Sequence, residues 1–341
     1  MIGFNDFAVQ NYIKKMIYAR KICVFAKKSV PLQAKMAKIG VFDSGYGGLT
    51  ILSEIRKVLP EYDYLYLGDN ARAPYGTHSF DVIYQYTLRA VKYLFEQDCT
   101  LVILACNTAS AKALRTIQQR DLPEINRQLA IQSSTNRPIV NVLGVIRPTV
   151  EAVPAVTKSG HVGILATPAT VSSESYVLEL QKLSNQKSKS INHKSLVVTQ
   201  QACTMWVPLI EAGEHNSDGA KYFVGKYLRE ILAKDPLIDT LVLGCTHYPL
   251  LKEKIEGWLR YHEEIERCAD GVQTNSHIQI ISQGALVAES LNDYLFRHPE
   301  YREQLSQNGT CTYLTTENAD RFAQSASLFL DCSIQAMHVD W

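Results

Sequence analysis

Apolar residues along this chain fall into two alternating rhythms. Short continuous runs rich in Val, Ile, Leu and Tyr occupy residues 38–42, 62–67, 101–104, 140–143, 161–165, 196–199 and 238–243. Their lack of apolar–polar alternation marks strands covered on both faces. Between them, residues 49–59, 80–97, 110–119, 171–183, 221–233 and 250–261 repeat apolar positions at the spacing of amphipathic helices. Strand–helix alternation of this kind predicts an α/β fold with mainly parallel sheets flanked by helices. Ligands of such sheets bind outside the carboxyl ends of the strands, and the polar motifs of this chain fall at those ends.

A weak internal repeat divides the pattern. Ile39-Gly40-Val41-Phe42 followed by Asp43-Ser44 resembles Val162-Gly163-Ile164-Leu165 followed two residues on by Thr167, and each half later supplies a cysteine turn. Two similar α/β domains facing each other across a cleft are expected: residues 36–132 with 267–341 as the first, 133–266 as the second. Residues 121–138, polar and carrying Pro123 and Pro138, read as a linker, and residues 184–190 as an exposed loop. Beyond Ile281 the pattern is helix, strand (residues 311–314) and helix, expected to pack back on the first domain.

Composition narrows the function classes. At 341 residues the chain has length for two domains of ordinary size, and a formal net charge of +1 gives no global reason to bind nucleic acid or an anionic membrane. The 8 cysteines are scattered without C-x-x-C spacing, which argues against a disulfide framework or a structural zinc site and for a reducing cytoplasm. No apolar run approaches the length that spans a bilayer. Residues 1–35 carry seven Lys or Arg against the single acid Asp6, and Met36 directly precedes the first strand. They read either as a disordered extension or a start codon placed too early, or as a basic targeting or membrane-surface helix that lacks the long apolar region of a secretory signal.

Two cysteine turns carry the chemistry. Leu101-Val102-Ile103-Leu104-Ala105-Cys106-Asn107-Thr108 and Leu241-Val242-Leu243-Gly244-Cys245-Thr246-His247 each end an apolar run on a thiol beside hydrogen-bonding groups. A lone Cys after a strand is ordinarily a small buried hydrophobe. Two in matching positions, each at an expected helix N-terminus, read instead as reactive thiols. His247 is either a cap residue or the proton acceptor for Cys245, and Glu211 either orients that imidazole or is a surface acid. Asp43-Ser44-Gly45-Tyr46-Gly47-Gly48 is either a plain strand–helix turn or an anion cradle, and lacks the spacing of a dinucleotide site. The loop Gly68-Asp69-Asn70-Ala71-Arg72-Ala73-Pro74-Tyr75-Gly76 is either structural, with Arg72 pairing Asp69, or part of the site.

Taken together, residues 39–45, 68–76, 105–110 and 243–251 resemble the signature blocks of the glutamate racemases, members of the aspartate/glutamate racemase superfamily. Gly144-Val145-Ile146-Arg147-Pro148, Ala202-Cys203 with Val207-Pro208-Leu209, and Thr315-Thr316 with Phe329-Leu330 fit the same pattern. The likeness covers nearly everything after Met36. It implies a cofactor-independent racemase in which one cysteine thiolate removes the α-proton of glutamate and the opposite thiol returns a proton to the other face. By that resemblance Cys106 deprotonates D-glutamate and Cys245 L-glutamate, Asp43 supports Cys106, and His247 with Glu211 supports Cys245. Ser44, Tyr75, Gly76, Asn107, Thr108, Thr170 and Thr246, with Asp43 and His247, would hold the substrate. The implied setting is D-glutamate supply for peptidoglycan in a bacterial cytoplasm, by a homodimer with no nucleic-acid or membrane partner. The chain departs from the pattern at Asn70, where threonine is usual, at Thr149, where glycine often follows the proline, in the long stretch 121–138, and in the basic leader.

Other readings stand beside this one: an aspartate racemase or another member of the superfamily with the same thiol pair, a two-domain binding module for an acidic metabolite, or an interaction protein that works through the basic leader.

Overall fold

A computed structural model describes residues 37–132, 139–187, 196–270, 278–330 and 332–341. The leader and residues 133–138 and 188–190 of the expected linker and loop lie outside the described residues. Among the described residues ten strands build two sheets, parallel in every pairing. The first, in the order β10-β9-β2-β1-β3-β4, comprises Ala336–His338, Cys311–Thr315, Tyr64–Gly68, Lys38–Asp43, Cys99–Leu104 and Asn141–Gly144. The second, in the order β6-β5-β7-β8, comprises Val197–Ala202, His161–Ala166, Thr240–Gly244 and Gln279–Ile281. Every residue of β2, β3 and β7 is buried, as unbroken apolar runs require.

The seven expected strands and the segment at 311–314 are all present, with no end displaced by more than three residues. Three expectations need correction. Residues 121–132 are no linker: the Leu122–Gln132 helix fills that stretch. Pro123 fits there because the π turn Ile117–Asp121 immediately before it already breaks the regular i to i−4 hydrogen-bond ladder, and Asn126 ties the helix down by bonding the backbone of Val140 on both sides. The single helix expected over 171–183 is two, Pro168–Ser172 and Ser175–Lys187, broken where Glu174 takes a left-handed φ of 54°. The sheets also divide the chain at points other than 133 and 266. β4 pairs with β3 in the first sheet and β8 with β7 in the second, so the chain crosses over beyond Gly144 and returns beyond Ile281. As expected, the segment beyond Ile281 packs back: the Gly284–Arg297 helix lies on the Gly48–Val58 helix, and β9 joins β2.

Close backbone approach seats the two halves on each other. A Cβ at Gly47 would lie 2.3 Å from Thr246 Oγ1 and 2.4 Å from His247 Nδ1, so only glycine lets the turn after β1 touch the turn after β7. The Thr50 hydroxyl shares its one proton between the carbonyl of Gly47 at 2.8 Å and, across the same seam, that of Thr246 at 3.0 Å.

Candidate functional site

The carboxyl ends of strands from both sheets converge on one cavity of about 70 Å³. From the first sheet come Ser44 after β1, Tyr75 and Gly76 in the loop after β2, and Cys106, Asn107 and Thr108 after β3. From the second come Glu211 on the Trp206–Glu211 helix and Cys245, Thr246 and His247 after β7. Ten of the twelve residues singled out in the sequence therefore line a single space, both cysteines among them. Cys106 and Cys245 are only 5% and 6% exposed, so solvent reaches each thiol chiefly through this cavity.

The two thiols have unlike surroundings. Cys106 caps the Asn107–Lys112 helix: its Sγ accepts from the Ala109 amide at 3.4 Å and lies 3.3 Å from the Ser44 hydroxyl. Burial pushes the thiol up to about 12, the Asp43 carboxylate adds to the rise, and the Ser44 and Ala109 bonds oppose it. Cys106 is thus a protonated thiol at neutral pH. Beside Cys245 stands His247, whose Nδ1 lies 3.8 Å from the sulfur and whose Nε2 lies 2.9 Å from Glu211 Oε1. Burial alone would lower the imidazole, but Cys245 and Glu211 outweigh it and raise His247 to about 10. His247 is accordingly a cation at neutral pH, held between a carboxylate and a sulfur.

Asp43 and Thr170 stand behind the cavity wall. Asp43 is buried at the end of β1. One oxygen accepts from the Gly45 amide at 2.8 Å and the other has no hydrogen-bond partner. Burial raises its carboxyl above the usual range, against the pull of His247 and of the Gly45 and Gly48 amides. Thr170 is fully buried and reaches the site only through hydroxyl contacts to Thr167 at 3.0 Å and Thr108 at 3.4 Å.

The loop after β2 is anchored by an acid. Buried Asp69 accepts from the Tyr75 hydroxyl at 2.6 Å, from Arg72 at 2.6 Å and from Thr316 at 2.9 Å. Arg72 therefore does pair with Asp69, and the same pairing holds the Tyr75 ring against the cavity.

Sequence reasoning passed over four more residues. Thr167, Cys203 and Thr204 line the cavity, and Gln283 grips Asn107 from behind. Thr167 had a signal, since it holds in the second half of the internal repeat the place Ser44 holds in the first. Gln283 had none, because nothing local marks a lone glutamine 176 residues from its partner.

Comparisons with known proteins place the chain in a family. The family model described as Asp/Glu/Hydantoin racemase matches residues 49–273. The glutamate racemase of Ruegeria sp. (strain TM1040) is 37% identical over 302 residues, covering 86% of this chain and 96% of that protein. Among solved structures, the glutamate racemase isoform RacE1 of Bacillus anthracis superposes with a TM-score of 0.69 at 29% identity, covering 90% of this chain and 98% of that one. The Francisella tularensis glutamate racemase in complex with D-glutamate gives 0.67 at 29% identity, covering 89% and 97%. The chain belongs to the Asp/Glu/hydantoin racemase family, and within it is similar to glutamate racemases over most of its length.

Proposed function

We propose that the protein interconverts L- and D-glutamate without a cofactor, with Cys106 and Cys245 as acid and base on opposite faces of the α-carbon. The observation that carries this reading is the pair of thiols lining one cavity, each with its own proton-handling neighbours.

The chemistry asks for such an arrangement. The α-proton beside a carboxylate is a very weak acid, so the site must stabilise a carbanion-like transition state. Preorganised amides and hydroxyls in a water-poor cleft are the means available. Racemisation needs one sulfur ionised and the other protonated, and the surroundings of the two supply that difference. From L-glutamate, the sulfur of Cys245, beside the His247 cation, takes the α-proton, while the Cys106 thiol delivers its proton to the opposite face. In the reverse direction the roles exchange: Asp43, its carboxyl raised by burial, accepts the proton that leaves Cys106, and His247 returns its proton to Cys245. Ser44, Tyr75, Gly76, Asn107, Thr108 and Thr246 hold the carboxylates and the ammonium. Thr170 acts through Thr108.

Closure of the two halves on the substrate excludes water and aligns the α-carbon between the thiols. Among the described residues no helix is long and apolar enough to cross a membrane. By the same reading the enzyme works as a homodimer in a bacterial cytoplasm and its product, D-glutamate, feeds peptidoglycan synthesis.

The test is circular dichroism of L-glutamate with pure protein and no added cofactor. The signal decays to zero as the mixture becomes racemic. Faster loss of the signal from L-aspartate would assign the site to aspartate instead, and no loss from either would reject a racemase.

A further inference from the structure

Asn107 is held by a buried chain of hydrogen bonds whose direction is set far from the cavity. Gln283, 2% exposed, lies between β8 and the Gly284–Arg297 helix. Its carboxamide faces that of Asn107 reciprocally: Asn107 Nδ2 donates to Gln283 Oε1 at 2.6 Å, and Gln283 Nε2 donates to Asn107 Oδ1 at 3.1 Å. Gln283 Nε2 also reaches Thr149 Oγ1 at 3.0 Å and the hydroxyl of Tyr176 at 2.8 Å. Tyr176 in turn donates to Asn107 Oδ1 at 2.8 Å.

The chain ends on a group that can only accept. Thr149 commits its one hydroxyl proton to the carbonyl of Val145 at 2.9 Å, so toward Gln283 it can only accept. That forces the NH₂ of Gln283 toward Thr149 and its oxygen toward Asn107, which must then present Nδ2. With Asn107 Oδ1 filled by Tyr176 and Gln283, the one unspent group of Asn107 is its second N–H. Resting on the racemase reading above, we propose that Gln283 is a positioning residue that locks the Asn107 carboxamide as a donor, so that Asn107 reads a carboxylate of the substrate and not its ammonium. The Gly284–Arg297 helix fixes Gln283 in turn, because a Cβ at Gly284 would lie 2.6 Å from Glu54 Cγ on the Gly48–Val58 helix.

A double-mutant cycle tests this, read as KM and kcat for glutamate and as the calorimetric Kd for D-glutamate. Gln283→Met keeps the bulk and removes the polar ends; it raises KM and Kd at least tenfold and changes kcat by less. Thr149→Val, a smaller change that leaves Gln283 in place but unoriented, raises them about threefold. In an Asn107→Ala background both changes have no further effect on KM or Kd, because they act through Asn107. Equal losses with and without Asn107, or a Thr149→Val protein indistinguishable from the parent, would overturn the proposal. A parent protein that binds D-glutamate without turnover would reject the racemase reading while the Kd cycle still decides the role of Gln283.

Discussion

Glu211 holds His247 from the side away from Cys245, Oε1 to Nε2 at 2.9 Å, so that the other ring nitrogen faces the sulfur. A flexible carboxylate at the end of one helix thereby sets the charge of a buried imidazole at the end of a strand. The sign follows from His247 being raised to about 10. The cation is present throughout neutral pH and is lost as pH climbs through that value. Glu211→Gln removes one of the two groups that raise it, so the alkaline limb of the kcat/KM profile moves to lower pH, and activity at a pH above the parent's midpoint falls by about tenfold for each unit of displacement. An unmoved limb would show that Glu211 does not govern His247.

The same group makes stability depend on pH. A histidine raised in the folded state adds stability that is fully present below the unfolded value of 6.5 and disappears as pH rises to about 10. Denaturant midpoints of the parent should fall across that window. The Glu211→Gln midpoints should fall less steeply there.

Asp43 sits behind Cys106, its carboxyl raised by burial and one oxygen unpartnered. Asp43→Asn keeps the shape and removes the charge. General acid–base groups of this kind are worth about 10²–10⁴-fold, and kcat/KM should fall within that range. The two enantiomers have equal free energy, so the fall in kcat/KM must be the same from L- and from D-glutamate. A change below about threefold would leave Asp43 a purely structural residue.

Gly47→Ala tests the seam between the halves. The backbone at Gly47 has φ −57°, so alanine is not refused there by its own dihedral angles. The cost comes from the Cβ lying 2.3 Å from Thr246 Oγ1 and 2.4 Å from His247 Nδ1. Overpacking of this kind costs about 1–3 kcal/mol. Unfolding should register that loss, and activity should drop more than tenfold because His247 is among the atoms displaced.

Thr108 and Thr170 offer a paired control. Thr108 lines the cavity and Thr170 supports it from behind. Thr108→Val should raise KM for glutamate about tenfold or more, while Thr170→Val should raise it less than about threefold at a stability cost of about 1 kcal/mol. The reverse order would place Thr170 in direct contact with the substrate.

Legible and hidden features of the chain divide along local and long-range causes. The cysteine turns were legible because a covered parallel strand must be apolar and the turn that ends it polar, and both constraints lie within a few residues of Cys106 and Cys245. Two expected site residues, Asp43 and Thr170, proved to stand one layer back, since their place relative to the cavity depends on packing by other elements. β8 and β10, three residues each, are too short to carry a pattern and exist because a neighbouring strand edge was available. The membership of Asn141–Gly144 in the first sheet is likewise a matter of pairing with β3, which no local signal reports. Gln283 was invisible for the same reason: its meaning is a hydrogen bond to Asn107, 176 residues away.

The central claim is that two thiols work on opposite faces, and the isotope content of each enantiomer tests it most directly. L-glutamate is incubated with the protein in D₂O, and both enantiomers are isolated at a few per cent conversion. Since each thiol exchanges with solvent before it acts, the account predicts D-glutamate carrying deuterium at the α-carbon while the unreacted L-glutamate keeps its proton. D-glutamate that retains the original proton, or early deuterium in both enantiomers alike, would mean one base serving both faces and would contradict it.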